Sequence, residues 1–139
     1  IFMKRIIFIL IILASAVCSY AQYNEYNSSE PDDYLNEEEP LTAAEKMPSF
    51  NGNINEWLSQ HLFYPTVAAE NGIQGTVIVS FVVGKDGSIS RAHVVRSVDP
   101  SLDREALRVV NSMPKWNPGL DNGEPADVWF TYPVRFRLN

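Results

Sequence analysis

Ile73–Val98, IQGTVIVSFVVGKDGSISRAHVVRSV, decides how the rest of the chain must fold. Thr76–Val83 is dense in β-branched and aromatic residues, the composition that suits a pleated surface. It runs into Gly84-Lys85-Asp86-Gly87, where Asp-Gly tolerates positive φ, and a second β-favouring run follows from Ile89 to Ser97. The stretch therefore predicts a β-hairpin. Along its first strand, Val77, Val79, Phe81 and Val83 share one face and Ile78, Ser80 and Val82 the other. Both faces are mostly apolar, which predicts a central strand with neighbours on both edges.

The second strand contains a phase slip. Ala92 and Val94 share one face, whereas Ile89 falls in the opposite parity with Arg91, His93 and Val95. Either a bulge near Ser90 restores the phase, or Ile89 covers the turn. Beyond the hairpin, Asp99-Pro100 reads as a helix cap followed by proline at the first helical position, with Ser101 as the alternative cap. Leu102, Ala106, Val109, Val110 and Met113 then form an apolar stripe at helical spacing, and Asp103, Arg104, Glu105 and Arg108 are expected to face water. Pro114 stops this helix, and Lys115–Gly119 is a compact turn carrying Trp116. Asp121–Pro125 reads as a second turn into a last strand, Ala126–Leu138. There Val128, Phe130, Tyr132, Val134 and Phe136 alternate with Trp129, Thr131, Pro133, Arg135 and Arg137.

Pro133 sets the topology. It has no amide proton for a ladder, so the last strand belongs at an edge. The order strand, strand, helix, strand then places the third strand on the free side of the first, parallel to the second. The expected fold is α+β: a small three-stranded antiparallel or mixed sheet in β-β-α-β order, with one packed helix. Short N-terminal helices precede it. Asn53 and Glu56 make a capping box, and Ile54, Trp57, Leu58 and Leu62 repeat on one face. Pro65 opens a second helix with Val67, Ala68 and Ala69 inside and Gly72 as its left-handed cap.

The outer segments are different in kind. Lys4-Arg5, the apolar run Ile6–Val17 and Ser19-Tyr20-Ala21 read as a secretory signal cleaved before Gln22, with an uncleaved inner-membrane anchor as the rival reading. Residues 1–21 are thus expected to be an export signal, 22–46 an acidic disordered linker and 47–139 the globular domain. The linker carries Glu25, Glu30, Asp32, Asp33, Glu37, Glu38, Glu39 and Glu45 against Lys46 alone, a local excess of acid larger than the net charge of −6 of the whole chain. The rest is nearly balanced, which removes the electrostatic case for nucleic acid. Cys18, inside the signal, is the single cysteine. His61 and His93 are far apart, and no phosphate loop or serine elbow is present. The chain offers no catalytic or cofactor-binding constellation, and no enzyme activity is expected.

An ordered set of short motifs resembles a known family. Tyr64-Pro65, Gly72-Ile73-Gln74-Gly75, Lys85-Asp86-Gly87, Val98-Asp99-Pro100, Glu105-Ala106-Leu107, Met113-Pro114-Lys115-Trp116, Pro118-Gly119 and Phe130–Val134 together look like the TonB C-terminal domain. They are most like the versions from Bacteroidetes-type bacteria. The resemblance implies a periplasmic energy-transducer module whose sheet edge takes up the TonB box, a short extended segment of outer-membrane transporters. It also implies ExbB and ExbD as partners where such a protein is membrane-anchored. On this reading the partner-binding residues lie on the last strand: Val128, Trp129, Phe130, Thr131, Tyr132, Val134, Arg135 and Arg137. The alternative is an envelope structural module whose exposed edge pairs with a second copy as a homodimer.

Overall fold

The computed structural model describes residues 38–139, and Glu39–Asn139 form one compact unit. The expected signal, 1–21, and most of the expected linker lie outside the described residues. Two short helices come first, α1 (Ile54–His61) and α2 (Thr66–Glu70). The hairpin follows as β1 (Gly75–Val83) and β2 (Ile89–Arg96), then α3 (Pro100–Asn111). The chain ends in β3 (Gly119–Asp121), β4 (Glu124–Ala126) and β5 (Val128–Phe136).

The main sheet has the order β2-β1-β5, with β1 antiparallel to both neighbours. β2 and β5 therefore run parallel to one another on opposite sides of the central strand, as the β-β-α-β reading requires. Val77, Val79, Phe81 and Val83 are fully buried against Leu102, Ala106, Val109 and Val110 of α3. Local chemistry starts and stops that helix. The Asp99 carboxylate accepts from the Ser101 amide at 3.0 Å, Pro100 occupies the first turn, and the chain leaves at Ser112. Asn53 caps α1 in the same way, accepting from the amides of Asn55 and Glu56.

β2 resolves the phase slip with bulges. The register with β1 shifts twice, between Ser80 and Val82 and between Ile78 and Val79. At the first shift Arg91 adopts φ 54°, and Ile89, Ala92 and Val94 all reach the core. The hairpin turn is tied to the segment that follows α3. Gly87, at φ 84°, presents its carbonyl to the Trp116 amide at 2.8 Å. That contact anchors Trp116, which is 4% exposed and meets Phe50, Phe81 and Phe130 with ring centroids 5.7, 5.4 and 5.0 Å away.

Several expectations change. In α2 only Ala68 is buried, whereas Val67 and Ala69 are exposed, because a helix of five residues can turn little more than one side chain inward. The Asp121–Pro125 turn is the tip of a small β3–β4 hairpin, with Asn122 and Gly123 both at positive φ. Ordered structure also begins earlier than Met47. Lys46 exchanges two backbone bonds with Leu120, Ser49 two with Asn117, and Leu41 bridges to Val128. These pairings are non-local, so no periodicity announces them. Gly119 permits them, since a Cβ there would lie 3.0 Å from the Lys46 carbonyl and 2.8 Å from Val128 Cγ2.

Glu105 does not simply face water. Its carboxylate accepts from the Phe63 amide at 2.9 Å and from Arg108 Nε at 2.8 Å, while Arg108 also donates to the His61 carbonyl. The pair staples α3 to the corner between α1 and α2. Glu105→Ala should therefore lose about 1–2 kcal/mol, measured by urea denaturation. Burial works against the carboxylate, but the bonds from Arg108 and Phe63 outweigh it and hold Glu105 below its ordinary range. With the folded value depressed, the stabilisation is complete above the unfolded pKa and fades as pH falls through the folded one. The gap between wild type and variant should thus begin to narrow below about pH 4.3 and close only at lower pH, beneath the depressed folded value.

Candidate strand-addition edge

β5 pairs with β1 over nine unbroken residue pairs, from Gly75–Phe136 to Val83–Val128. In such a ladder the N–H and C=O of one residue point to the same side, alternating along the strand. The Trp129 amide points away from β1, donating to the Leu41 carbonyl at 2.8 Å. Thr131, Pro133 and Arg135 share that parity and turn their backbone groups to the same outer side. Pro133 thus sits where β1 needs no donor, which is why a proline is tolerated in a strand this long.

The other edge is less inviting. β2 is bulged twice, carries Arg91 at positive φ and leaves Val95 60% exposed. Bulges and charge blunt an edge against strand pairing. The outer side of β5 is regular by comparison, and a groove of about 420 Å³ runs beside it. Asn55, Leu58 and Leu62 form one wall, and Tyr132, Pro133 and Arg135 the other. The Tyr132 hydroxyl donates to Asn55 Oδ1 at 3.0 Å and clamps the two walls. Burial pushes the phenol's pKa up, only partly offset by the Arg135 charge, so this donor stays protonated at neutral pH.

The eight residues read from the sequence divide into three groups. Val128 and Val134 are fully buried, and Phe130 packs on Trp116 and Phe81, so these three side chains belong to the core. Tyr132 is half-buried against α1. Trp129, Thr131 and Arg135 carry the outward parity, and Arg137 lies exposed just past the strand end. Trp129 is itself engaged: the Arg91 guanidinium lies 5.0 Å from its ring centroid, and His93 meets it edge-on at 5.6 Å. Sequence reading missed Glu39, Leu41 and Arg91 at this edge. The phase slip in β2 was the one available signal, and it was read as a bulge near Ser90, one residue before Arg91. Among the described residues no cluster of three metal-ligating side chains occurs, and no helix is long and apolar enough to cross a membrane.

Residues 60–138 match the family model described as Gram-negative bacterial TonB protein C-terminal. Over 71 residues the chain is 41% identical to Protein TonB of Haemophilus influenzae, covering 50% of this chain and 26% of that protein. The chain thus spans about a quarter of the length of that relative. The solution structure of the Helicobacter pylori TonB-CTD aligns over 62% of this chain and 78% of its own, at 27% identity and a TM-score of 0.47. The family match covers the hairpin, α3 and the whole of β5, and the chain belongs to the TonB C-terminal domain family.

Proposed function

We propose that this chain is the periplasmic partner-binding module of a TonB-type energy-transducing system. It receives an extended segment, the TonB box of an outer-membrane transporter, as an added strand on β5. The 1–21 segment serves its export and the acidic residues that follow serve as its tether; where the segment is retained as an anchor, ExbB and ExbD are the inner-membrane partners. The observation that carries this reading is the outer side of β5: unbroken pairing with β1 on one side, and the amides of Thr131 and Arg135 directed outward on the other. Backbone bonds from such an edge supply affinity with little demand on ligand sequence. The function is therefore binding and force transmission, not catalysis.

Peptides copying transporter N-terminal segments test this directly. Thr131→Pro removes an outward amide that β1 does not use, so circular dichroism should be unchanged while peptide affinity falls roughly tenfold. Arg135→Ala should weaken binding less, by an amount that shrinks at high salt as surface charge is screened. Unfolding of Thr131→Pro would show that strand to be internal. Undiminished peptide binding by the folded variant would move the site elsewhere.

A further inference from the structure

The outer ladder of β5 is not wholly vacant. Its first rung is taken by the chain itself: the Leu41 amide donates to the Asp127 carbonyl and the Trp129 amide to the Leu41 carbonyl, both at 2.8 Å. After this single parallel bridge the segment bends away, to pair at Lys46 with Leu120 and at Ser49 with Asn117. Glu39, just before it, meets Arg91 at 3.6 Å, and that guanidinium lies over the Trp129 ring. Arg91 reaches this place from the β2 bulge, where its positive φ departs from the strand path.

We infer that Leu41 is a register stop for an added strand. This rests on the strand-addition reading of β5 and specifies the ligand it fits: an extended segment of about six residues, facing Thr131–Phe136, with one end abutting Leu41. A neighbouring strand lies about 4.8 Å away, the place the Leu41 backbone already fills beside Trp129. Without a stop, a period-two ladder allows slippage by two residues with every side chain kept on its face. With the stop, a ligand that grows past Thr131 must displace Leu41. It then gains the same two backbone bonds that it breaks. The displaced strap is tethered by Lys46 and Ser49, so it competes at high effective concentration. Added length toward Trp129 therefore contributes nothing to affinity.

The test uses a seven-residue peptide from a transporter N-terminal segment, and versions lengthened by four residues at either end. Calorimetry and amide hydrogen exchange are read on the full chain. In the free wild type the Trp129 amide should exchange far more slowly than those of Thr131 and Arg135. The short peptide should protect Thr131 and Arg135, and the lengthened ones should bind no more tightly. In Leu41→Pro, which deletes the donor to Asp127, Trp129 should exchange freely. The peptide lengthened toward Trp129 should then bind roughly tenfold tighter than the short one and protect Trp129. Glu39→Lys, which repels Arg91 and keeps the backbone donor, should shift both readings the same way by a smaller factor. An equal gain from length in wild type and Leu41→Pro overturns the stop, as does rapid Trp129 exchange in the free wild type. If no peptide protects Thr131 or Arg135, strand addition on β5 fails, and the stop with it.

Discussion

Val110→Asp should leave the domain unfolded at room temperature. Val110 is fully buried on the face of α3 that packs against β1, among Val77, Val79 and Leu102. A carboxylate there meets no cation among its core neighbours and must either lose its hydration or take up a proton. Breaking into an apolar core with an unpaired charge typically destabilises by several kcal/mol, and the lost valine packing adds to that. A domain of this size has about 5–15 kcal/mol in total, so most or all of it goes. Far-UV circular dichroism and a thermal melt read the outcome. Loss of the cooperative transition is expected, and the milder Val110→Ala should keep a transition at lower temperature. A Val110→Asp protein that melts like wild type would place α3 on the wrong face.

Gly87→Ala should be nearly as damaging although it adds one methyl group. The added Cβ would lie 2.1 Å from the Trp116 carbonyl oxygen, a backbone atom that no rotamer change can move. The backbone at Gly87 also has φ 84°, a region that costs a side chain about 1–2 kcal/mol before any clash. Relief requires the turn to leave the Lys115–Gly119 segment and break the bond from the Trp116 amide to the Gly87 carbonyl. Trp116 then loses its hold among Phe50, Phe81 and Phe130. We expect a loss of more than about 3 kcal/mol, with a large change in tryptophan fluorescence. Gly123→Ala is the control. It too sits at positive φ, 76°, but its Cβ would meet nothing within 4 Å, so only the conformational term applies. Equal losses for the two variants would remove the role given to the Trp116 contact.

These two positions differ in how openly they declare themselves. Val110 is legible from helical spacing alone, because the stripe Leu102, Ala106, Val109, Val110, Met113 is a local consequence of 3.6 residues per turn. Gly87 is legible as a turn former, but its partner Trp116 is 29 residues away, and nothing in the turn names it. The candidate edge divides along the same line. Pro133 marked β5 as an edge strand through the chemistry of one missing proton, and the structure gives it the outward parity that this chemistry demands. Val128 and Val134 were read as contact residues because they lie on the same strand. Their burial follows from which face of β5 turns toward the interior of the domain, and strand membership does not fix that.

Glu105 and Leu41 show the limit most clearly. Glu105 occupies a helix position that pattern assigns to solvent, and solvent is what it would meet on an isolated helix. Only the approach of the α1–α2 corner brings the Phe63 amide and the His61 carbonyl to the Glu105–Arg108 pair. Leu41 lies in an acidic stretch whose composition argues against burial, yet its backbone closes one rung of β5. Backbone hydrogen bonds carry no side-chain signature, and composition is blind to them.

By itself the sequence determined the hairpin, the capped helix with its apolar stripe, the order of strands and the family resemblance. Each rests on forces acting within a few residues: strand alternation, helical periodicity, the missing amide proton of proline and the tolerance of glycine for positive φ. The tertiary structure alone decided where the β2 bulges turn Arg91, which β5 side chains are core, that Glu105 staples two elements, and that Leu41 occupies one end of the open edge. Those outcomes depend on contacts between residues far apart in the chain, where chain closure and competing backbone partners settle the result.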